Sequence, residues 1–569
     1  MIKYKYSLLL LLSAGLLAAS CQKLEDRPYE LITEDYLWDS KDSLGVNASY
    51  FLNGIYGDLP NGFNRIGGNV LDAASDDAVA SADNTDIARF TNGGYTQLVN
   101  ADNSWVANYA SIRKCNIFVQ NIDKINLKKS DPAIFIQGQY WRAENRFLRA
   151  MFYYELIKRY GGVPLIGDRV LSLNDDLKLP RNTFDECVNY IVSECDAIKD
   201  NLRPDPIPSG DFGRITKMVA LTLKGKVLLL AASPLNNTNN DNAKWLKAKN
   251  ALADAIAYGA TYFSLEASFS NVFLTRKNNE IILAYQRAVT TDLELNNAPI
   301  GYISGSTVSR GRTSPTQELV NAFYTSKGLP ITEDVKSVTN PSGYDANSPY
   351  SNRDPRLEST VFYNGNGMNW LNRPVETFDG GRDRPGGIVV QTKTGYYMRK
   401  FLGNFTTGTA YSNQTHNFPI FRYADVLLMF AEAKNEVDGP GAGTDSVYTY
   451  IRAIRNRAGI ISGSAPNTFG LKEGLNVGQM REVIRNERRV EMAFEEQRFW
   501  DIRRWKIAET IYNKPLHGMR ITRVGNALNY KVEELNTPFQ FFAPRMYRYA
   551  IPFSEISKNS NLKQNEGYQ

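Results

Sequence analysis

The sequence predicts a mainly α-helical protein: tetratricopeptide-like helix pairs forming a scaffold, with a loop-rich, irregular face that carries short strands. Three observations predict it. Apolar residues recur at helical spacing in long segments before about residue 260 and after residue 417, as in Ile215, Val219, Leu223 and Val227. Short loops join these segments in pairs, the pattern of stacked helical repeats, although the period is irregular. Between them, residues 261–417 are rich in Gly, Asn, Pro, Tyr and Thr, and their apolar runs shrink to strand length.

In chain order, Lys3 and Lys5 precede an apolar run from Leu8 to Leu17, and Ala18-Ala19-Ser20 lead into Cys21. Residues 1–20 read as a secretory signal peptide, too short to span a membrane. Small residues running into a Cys resemble a bacterial lipobox, so Cys21 is expected to be acylated, although Ala18 stands where Leu is commoner. Several acyl chains would hold the protein firmly on a membrane. Residues 21–31 form the lipidated tether, and Gln22-Lys-Leu-Glu-Asp26 resembles the acidic stretch that sends some lipoproteins to the cell surface.

Residues 32–260 are expected to hold a short helical segment, then a loop-like acidic stretch over residues 69–98 with Asp72, Asp76, Asp77, Asp83 and Asp86. Helices follow at Trp105–Ile125, at Ala133–Tyr160 (stopped by Gly161-Gly162 and Pro164), at 183–202, at 214–233 and at Trp245–Tyr258. Within 261–417, Glu280–Tyr285 and Ile388–Gln391 read as strands, and such a polar interruption is where a binding site would be carried. Residues 418–569 bring helices at Tyr423–Glu436, Ser446–Ala458 and Gly478–Trp505, then a tail, Tyr547–Asn559, read as a short strand, a Pro stop and a turn.

Ile484–Trp505 packs four Glu, one Asp and six Arg among Val490, Phe494, Phe499, Trp500, Ile502 and Trp505. On one helix, Arg488 meets Glu491 and Glu495 meets Arg498 at i,i+3 on the surface. A salt-bridged helix docked on an aromatic cluster accounts for this better than an acid/base pair, because ion-pair networks also gather carboxylates.

Composition narrows the function. Removing Lys3 and Lys5 lowers the formal charge from +6 to +4, and no basic run is present, so nucleic acid is not an expected partner. Two His, at 416 and 517, leave little for a histidine metal site or a Ser/His/Asp triad. The acidic stretch has the oxygen ligands calcium uses but no twelve-residue EF-hand loop, so no metal and no cofactor is expected. Gly161-Gly162 precedes Pro164, where a phosphate-cradling loop would lead into a helix. Cys187 and Cys195 in one helix would lie about 12 Å apart, too far for a disulfide.

Phe147-Leu-Arg-Ala-Met-Phe-Tyr-Tyr-Glu-Leu-Ile-Lys-Arg-Tyr-Gly-Gly-Val-Pro-Leu165, Asp354-Pro-Arg-Leu357, Phe418–Ala433, Phe499-Trp-Asp-Ile-Arg-Arg-Trp505 and the closing Asn561–Tyr568, together with the lipobox, resemble the SusD/RagB outer-membrane lipoproteins of Bacteroidetes. The blocks fall in that family's order over essentially the whole mature chain. Glu496 stands where Gly is common, and Phe430 where Tyr is usual. The resemblance implies four tetratricopeptide-like helix pairs backing an irregular face. It implies non-catalytic glycan capture at the cell surface and delivery to a SusC-like TonB-dependent transporter, with the helical side docking that partner.

Sugar rings stack on flat aromatics while Asn, Asp and Arg bond their hydroxyls. Trp370, with Asn369 beside it, sits in a Gly/Asn loop, where ligand binding and loop anchoring both account for it. Tyr302, before Arg310-Gly-Arg312, and Trp105, at a helix start, are further candidates that packing would equally explain. Asp76 and Asp77 could receive sugar hydroxyls or cap helices. Trp141, Trp245, Trp500 and Trp505 read as core. Two rival functions stay open: a glycoside hydrolase with paired carboxylates, and a surface lipoprotein that binds peptide or protein cargo.

Overall fold

The computed structural model describes residues 34–304, 306–331, 341–366, 373–405, 410–441, 443, 446–465 and 468–568. Residues 1–31, with Cys21, lie outside them, as do Asn369 and Trp370. Among the described residues, no helix is long and apolar enough to cross a membrane.

Ten helices build the scaffold: α1 Val46–Tyr56, α2 Trp105–Asn121, α3 Pro132–Tyr160, α4 Phe184–Ile198, α5 Lys217–Ala232, α6 Asn242–Gly259, α7 Tyr423–Asp438, α8 Val447–Ala458, α9 Val477–Glu491 and α10 Gln497–Arg504. Each packs on the next from α2 through α7, and α7 then holds both α8 and α9. Local sequence sets their ends. Asp131 caps α3 by accepting from the Ala133 and Ile134 N–H groups, with Pro132 in the first turn. Thr183 with Glu186 and Asn476 with Gln479 form reciprocal capping boxes at α4 and α9. The stripe Ile215, Val219, Leu223 and Val227 is fully buried around α5.

The helices α6 and α7 are neighbours although residues 260–422 separate them. Short strands stitch the intervening chain to the scaffold: β1 Ala78–Ala80, β2 Ile281–Tyr285, β3 Thr313–Pro315, β4 Phe418–Arg422, and a hairpin of β5 His517–Val524 and β6 Ala527–Glu534. Strands β2 and β4 pair antiparallel, Ile281 opposite Arg422 and Tyr285 opposite Phe418, and so close the insertion at its base. Strand β1 pairs with β3, Ala78 opposite Pro315.

Five expectations need correction. The segment Gly478–Trp505 is two helices, broken where Phe494 (φ 62°) and Glu496 (φ 59°) turn left-handed. The Asp72 carboxylate holds that break, accepting from the N–H groups of Phe494 (2.9 Å) and Glu496 (3.3 Å). The surface pairs within this segment do not form, because it lies inside the protein. Arg488 pairs with Asp425 (2.7 Å) and Asp501 (2.9 Å), while Glu491 and Glu495 share Arg422 (2.8 and 2.7 Å). Ile388–Gln391 is a largely exposed turn that, among the described residues, pairs with no strand. In the tail, Pro552 starts a helix, Phe553–Lys558, instead of ending a strand. The acidic stretch 69–98 contributes two 3-10 turns and β1, and it buries Asp72, Asp76 and Asp77 while leaving Asp83 and Asp86 exposed.

Arg422 also bonds Glu280 (2.6 Å), Lys400 bonds Glu495 (2.7 Å), and Arg356 bonds Glu487 (2.7 Å) and Glu491 (2.9 Å). This buried network ties the ends of the insertion to α9. Removing one partner of such a pair costs about 3–5 kcal/mol, because it strands a charge away from water. Cys115, Cys187 and Cys195 are buried free thiols, and burial pushes Cys187 up to about 11.

Candidate functional site

A cavity of about 540 Å³ opens on the irregular face between the chain at Ala82–Thr85, the segment Ile300–Arg312 and the turn Arg382–Val390. Ile300, Val308, Val389 and Val390 give it an apolar wall, and the last three are about half exposed. Its polar side carries Asn69, Arg310, Arg312 and Arg382.

Pairing of β1 with β3 fixes the rim nearest the scaffold. The Ser81 N–H donates to the Arg312 carbonyl (2.9 Å), and the Ser81 hydroxyl donates to the Gly311 carbonyl (2.5 Å). Gly311 has φ +50°, and a Cβ there would fall 2.3 Å from the Tyr397 ring, so only glycine lets this segment lie against the core. Arg312 is positioned from three sides. Its Nε donates to Asn296 Oδ1 and its Nη1 to the Gly67 carbonyl, both at 2.9 Å. Its stem crosses Gly68 (φ +85°), where a Cβ would come within 2.6 Å of it. Burial, then the Arg310 charge, pushes the Arg312 guanidinium below its ordinary pKa.

The structure gives Tyr302, Trp105, Asp76 and Asp77 packing and ion-pair roles, while Asn369 and Trp370 lie outside the described residues. Tyr302 lies beside the cavity, its carbonyl accepting from the Ser309 N–H (3.0 Å), but its ring is buried. The Arg373 guanidinium covers that ring at 3.8 Å, and the Tyr302 hydroxyl donates to the Arg373 carbonyl (2.8 Å), so the ring is packed against Arg373. Trp105 opens α2 buried between Tyr109 and Tyr160, with ring centroids 5.2 and 5.0 Å away. Arg498 clamps Asp76 with two bonds of 2.8 Å, and Arg489 adds a third at 2.9 Å. Burial alone would raise the Asp76 pKa, but these guanidinia outweigh it and hold the carboxyl below the carboxylate range. Asp77 pairs with Arg489 (2.6 Å), yet burial raises its pKa. Asp76 and Asp77 are therefore buried in ion pairs that fasten the early chain to α9 and α10. Trp141, Trp245 and Trp505 are buried and Trp500 is half-buried under Lys158 and Arg159, in keeping with core roles.

Sequence reasoning passed over Arg310, Arg312, Val389 and Val390. The doublet Gly386-Gly387 before Ile388 was the available sign that this apolar run turns in solvent. Among the described residues, no group of three or more His, Cys, Asp or Glu is arranged to hold a metal ion.

Comparison with known proteins places this geometry. Residues 279–568 match the SusD family, and residues 52–229 match a family described as starch-binding associating with outer membrane. SusD-like protein P2 of Formosa agariphila is 24% identical over the full length of both chains. A SusD-like protein of Bacteroides fragilis superposes with a TM-score of 0.76 at 26% identity, covering 94% of this chain and 99% of that one. A SusD-like carbohydrate-binding protein of the same species gives 0.73 at 24% identity, covering 93% and 100%. A laminarin-binding SusD-like protein gives 0.62 at 20% identity, covering 92% and 99%. The two family matches fall on either side of α6, so most of the helical scaffold and most of the insertion are within the resemblance. The chain belongs to the SusD family.

Proposed function

We propose that this protein captures oligo- or polysaccharide at the outer-membrane surface, without catalysis, and passes it to a SusC-like TonB-dependent transporter. The observation that carries the reading is the cavity on the irregular face, roomy enough for sugar units and built on the insertion of a family member. The outer-membrane association in the description of the family matching residues 52–229 supports the location. A lipid on Cys21 would supply the anchor. Against hydrolysis, Glu487, Glu491, Glu495 and Asp501 are each engaged by buried cations, which leaves them poorly suited to act as acid and base. Trp370 and Asn369 are proposed as ligand contacts from the insertion.

Purified protein incubated with a panel of oligosaccharides tests the reading. Saturable binding with no new reducing ends is expected. Release of reducing ends would replace it with a hydrolase, and capture of peptides with no glycan bound would replace it with a cargo-binding surface protein. Cys21→Ala is expected to shift the protein from the membrane fraction to the soluble one. Trp370→Ala is expected to weaken glycan binding with the melting temperature unchanged, and equal affinities in calorimetry would remove Trp370 from the site.

A further inference from the structure

The charges around the cavity are unbalanced. Arg310 is exposed at the rim, and among the described residues its guanidinium meets no carboxylate and no other acceptor. Arg312 is held by two neutral acceptors, the Asn296 amide and the Gly67 carbonyl. The nearby anion, Asp292, is already engaged by Asn64 (3.0 Å), Asn296 (2.9 Å) and Arg287 (3.5 Å). Arg310 and Arg312 come from one segment and line the same cavity. Such an arrangement differs from the protein's centre, where Arg356, Arg422 and Arg488 each meet two or more carboxylates. A third guanidinium, Arg382, lines the cavity and is only loosely paired, 3.7 Å from Glu376.

Two guanidinia on one cavity wall, neither in direct contact with a carboxylate, are a receptor for an anion, because their remaining N–H groups can reach its oxygens in charge-assisted hydrogen bonds. The wall of Val308, Val389 and Val390 adds an apolar surface of the kind that covers the C–H face of a sugar ring. We propose that this cavity selects an anionic glycan, one bearing carboxylate or sulfate-ester groups, with Arg310 and Arg312 as the side chains that read the charge. The inference rests on the glycan-capture reading above and adds the class of glycan.

The test is calorimetry on the full protein and on Arg310→Ala and Arg312→Gln, against an oligogalacturonate, a carrageenan oligosaccharide and a neutral malto-oligosaccharide. Arg310 is exposed, so its loss should leave folding intact; circular dichroism checks both variants. At least one anionic probe should bind, and each substitution should weaken it about ten-fold or more, the worth of one charge-assisted bond. The carboxylated and sulfated arms show which anion is preferred. Binding confined to the neutral probe, or anionic binding that both variants retain, would overturn the assignment of charge while leaving glycan capture standing. Absence of binding to all three probes, together with a blank result on the wider glycan panel, would overturn both.

Discussion

Asp102 accepts from Arg159 (3.2 Å) and from the Tyr549 hydroxyl (2.8 Å), pairs with Arg65 as well, and does all of this inside the fold. Burial would raise its pKa, yet Arg159 and Arg65 outweigh burial and bring it from 3.8 down to about 2. Glu155 behaves alike: Lys158 and Arg159 overcome burial and hold it at about 2, against 4.5 unperturbed. A depressed carboxyl favours the folded state while ionised. Its contribution is full above the unfolded pKa, near 4, and is lost as pH falls through about 2. Asp102→Asn is therefore expected to cost at least about 2 kcal/mol at pH 7. The gap from the unsubstituted protein should narrow between pH 4 and pH 2 in urea titrations, and parallel stability curves across that window would exclude Asp102 as the linked group. The spacing of Glu155 with Lys158 and Arg159 on one helix is legible in the sequence, but the partnerships of Asp102 are not. Arg65, Asp102, Arg159 and Tyr549 come from four separate stretches of the chain, and only the fold brings them together.

At the scale of elements, the sequence was most informative where a helix has periodic apolar residues and its own cap, as in α3 and α4. It was least informative where tertiary contacts override local preference. The break between α9 and α10 is such a place: the Glu- and Arg-rich run has good helix propensity, but Asp72 captures two of its backbone N–H groups and turns it. Glu496 pays for its left-handed backbone with an ion pair to Arg65 (2.6 Å), a reason for Glu at a position where Gly is common in the family. Both Glu496→Ala and Glu496→Gly lose that pair, but only Ala keeps the left-handed strain. The glycine variant should thus be the more stable by about 1 kcal/mol, read from urea midpoints. Equal midpoints would mean that the turn relaxes when Glu496 is gone. The β5–β6 hairpin went unread although its signal is present: Met519 and Ile521, and Leu528 and Tyr530, alternate with exposed residues on either side of the Gly525-Asn526 turn.

Over the whole molecule, the helix pairs were legible as a repeat pattern, whereas the cavity was not, because its walls come from three separate stretches of chain. The exposed turn at Val389 and Val390 is expected to be the place where the protein is most easily nicked. Elastase, which cuts after small aliphatic residues, should cleave there and give two fragments that still co-elute on gel filtration, with weakened glycan binding. Dissociation of the fragments would show that this turn helps hold the fold. The clasp of β2 and β4 carries a broader consequence. The insertion leaves and rejoins the helical stack at one place, where two short strands and Arg422 seal its neck. Lengthening a loop closed in this way adds only a slowly growing entropy cost. The segment can therefore diverge in length and lining as an exchangeable cassette, taking on new ligands while the register of every helix beneath it stays as it was.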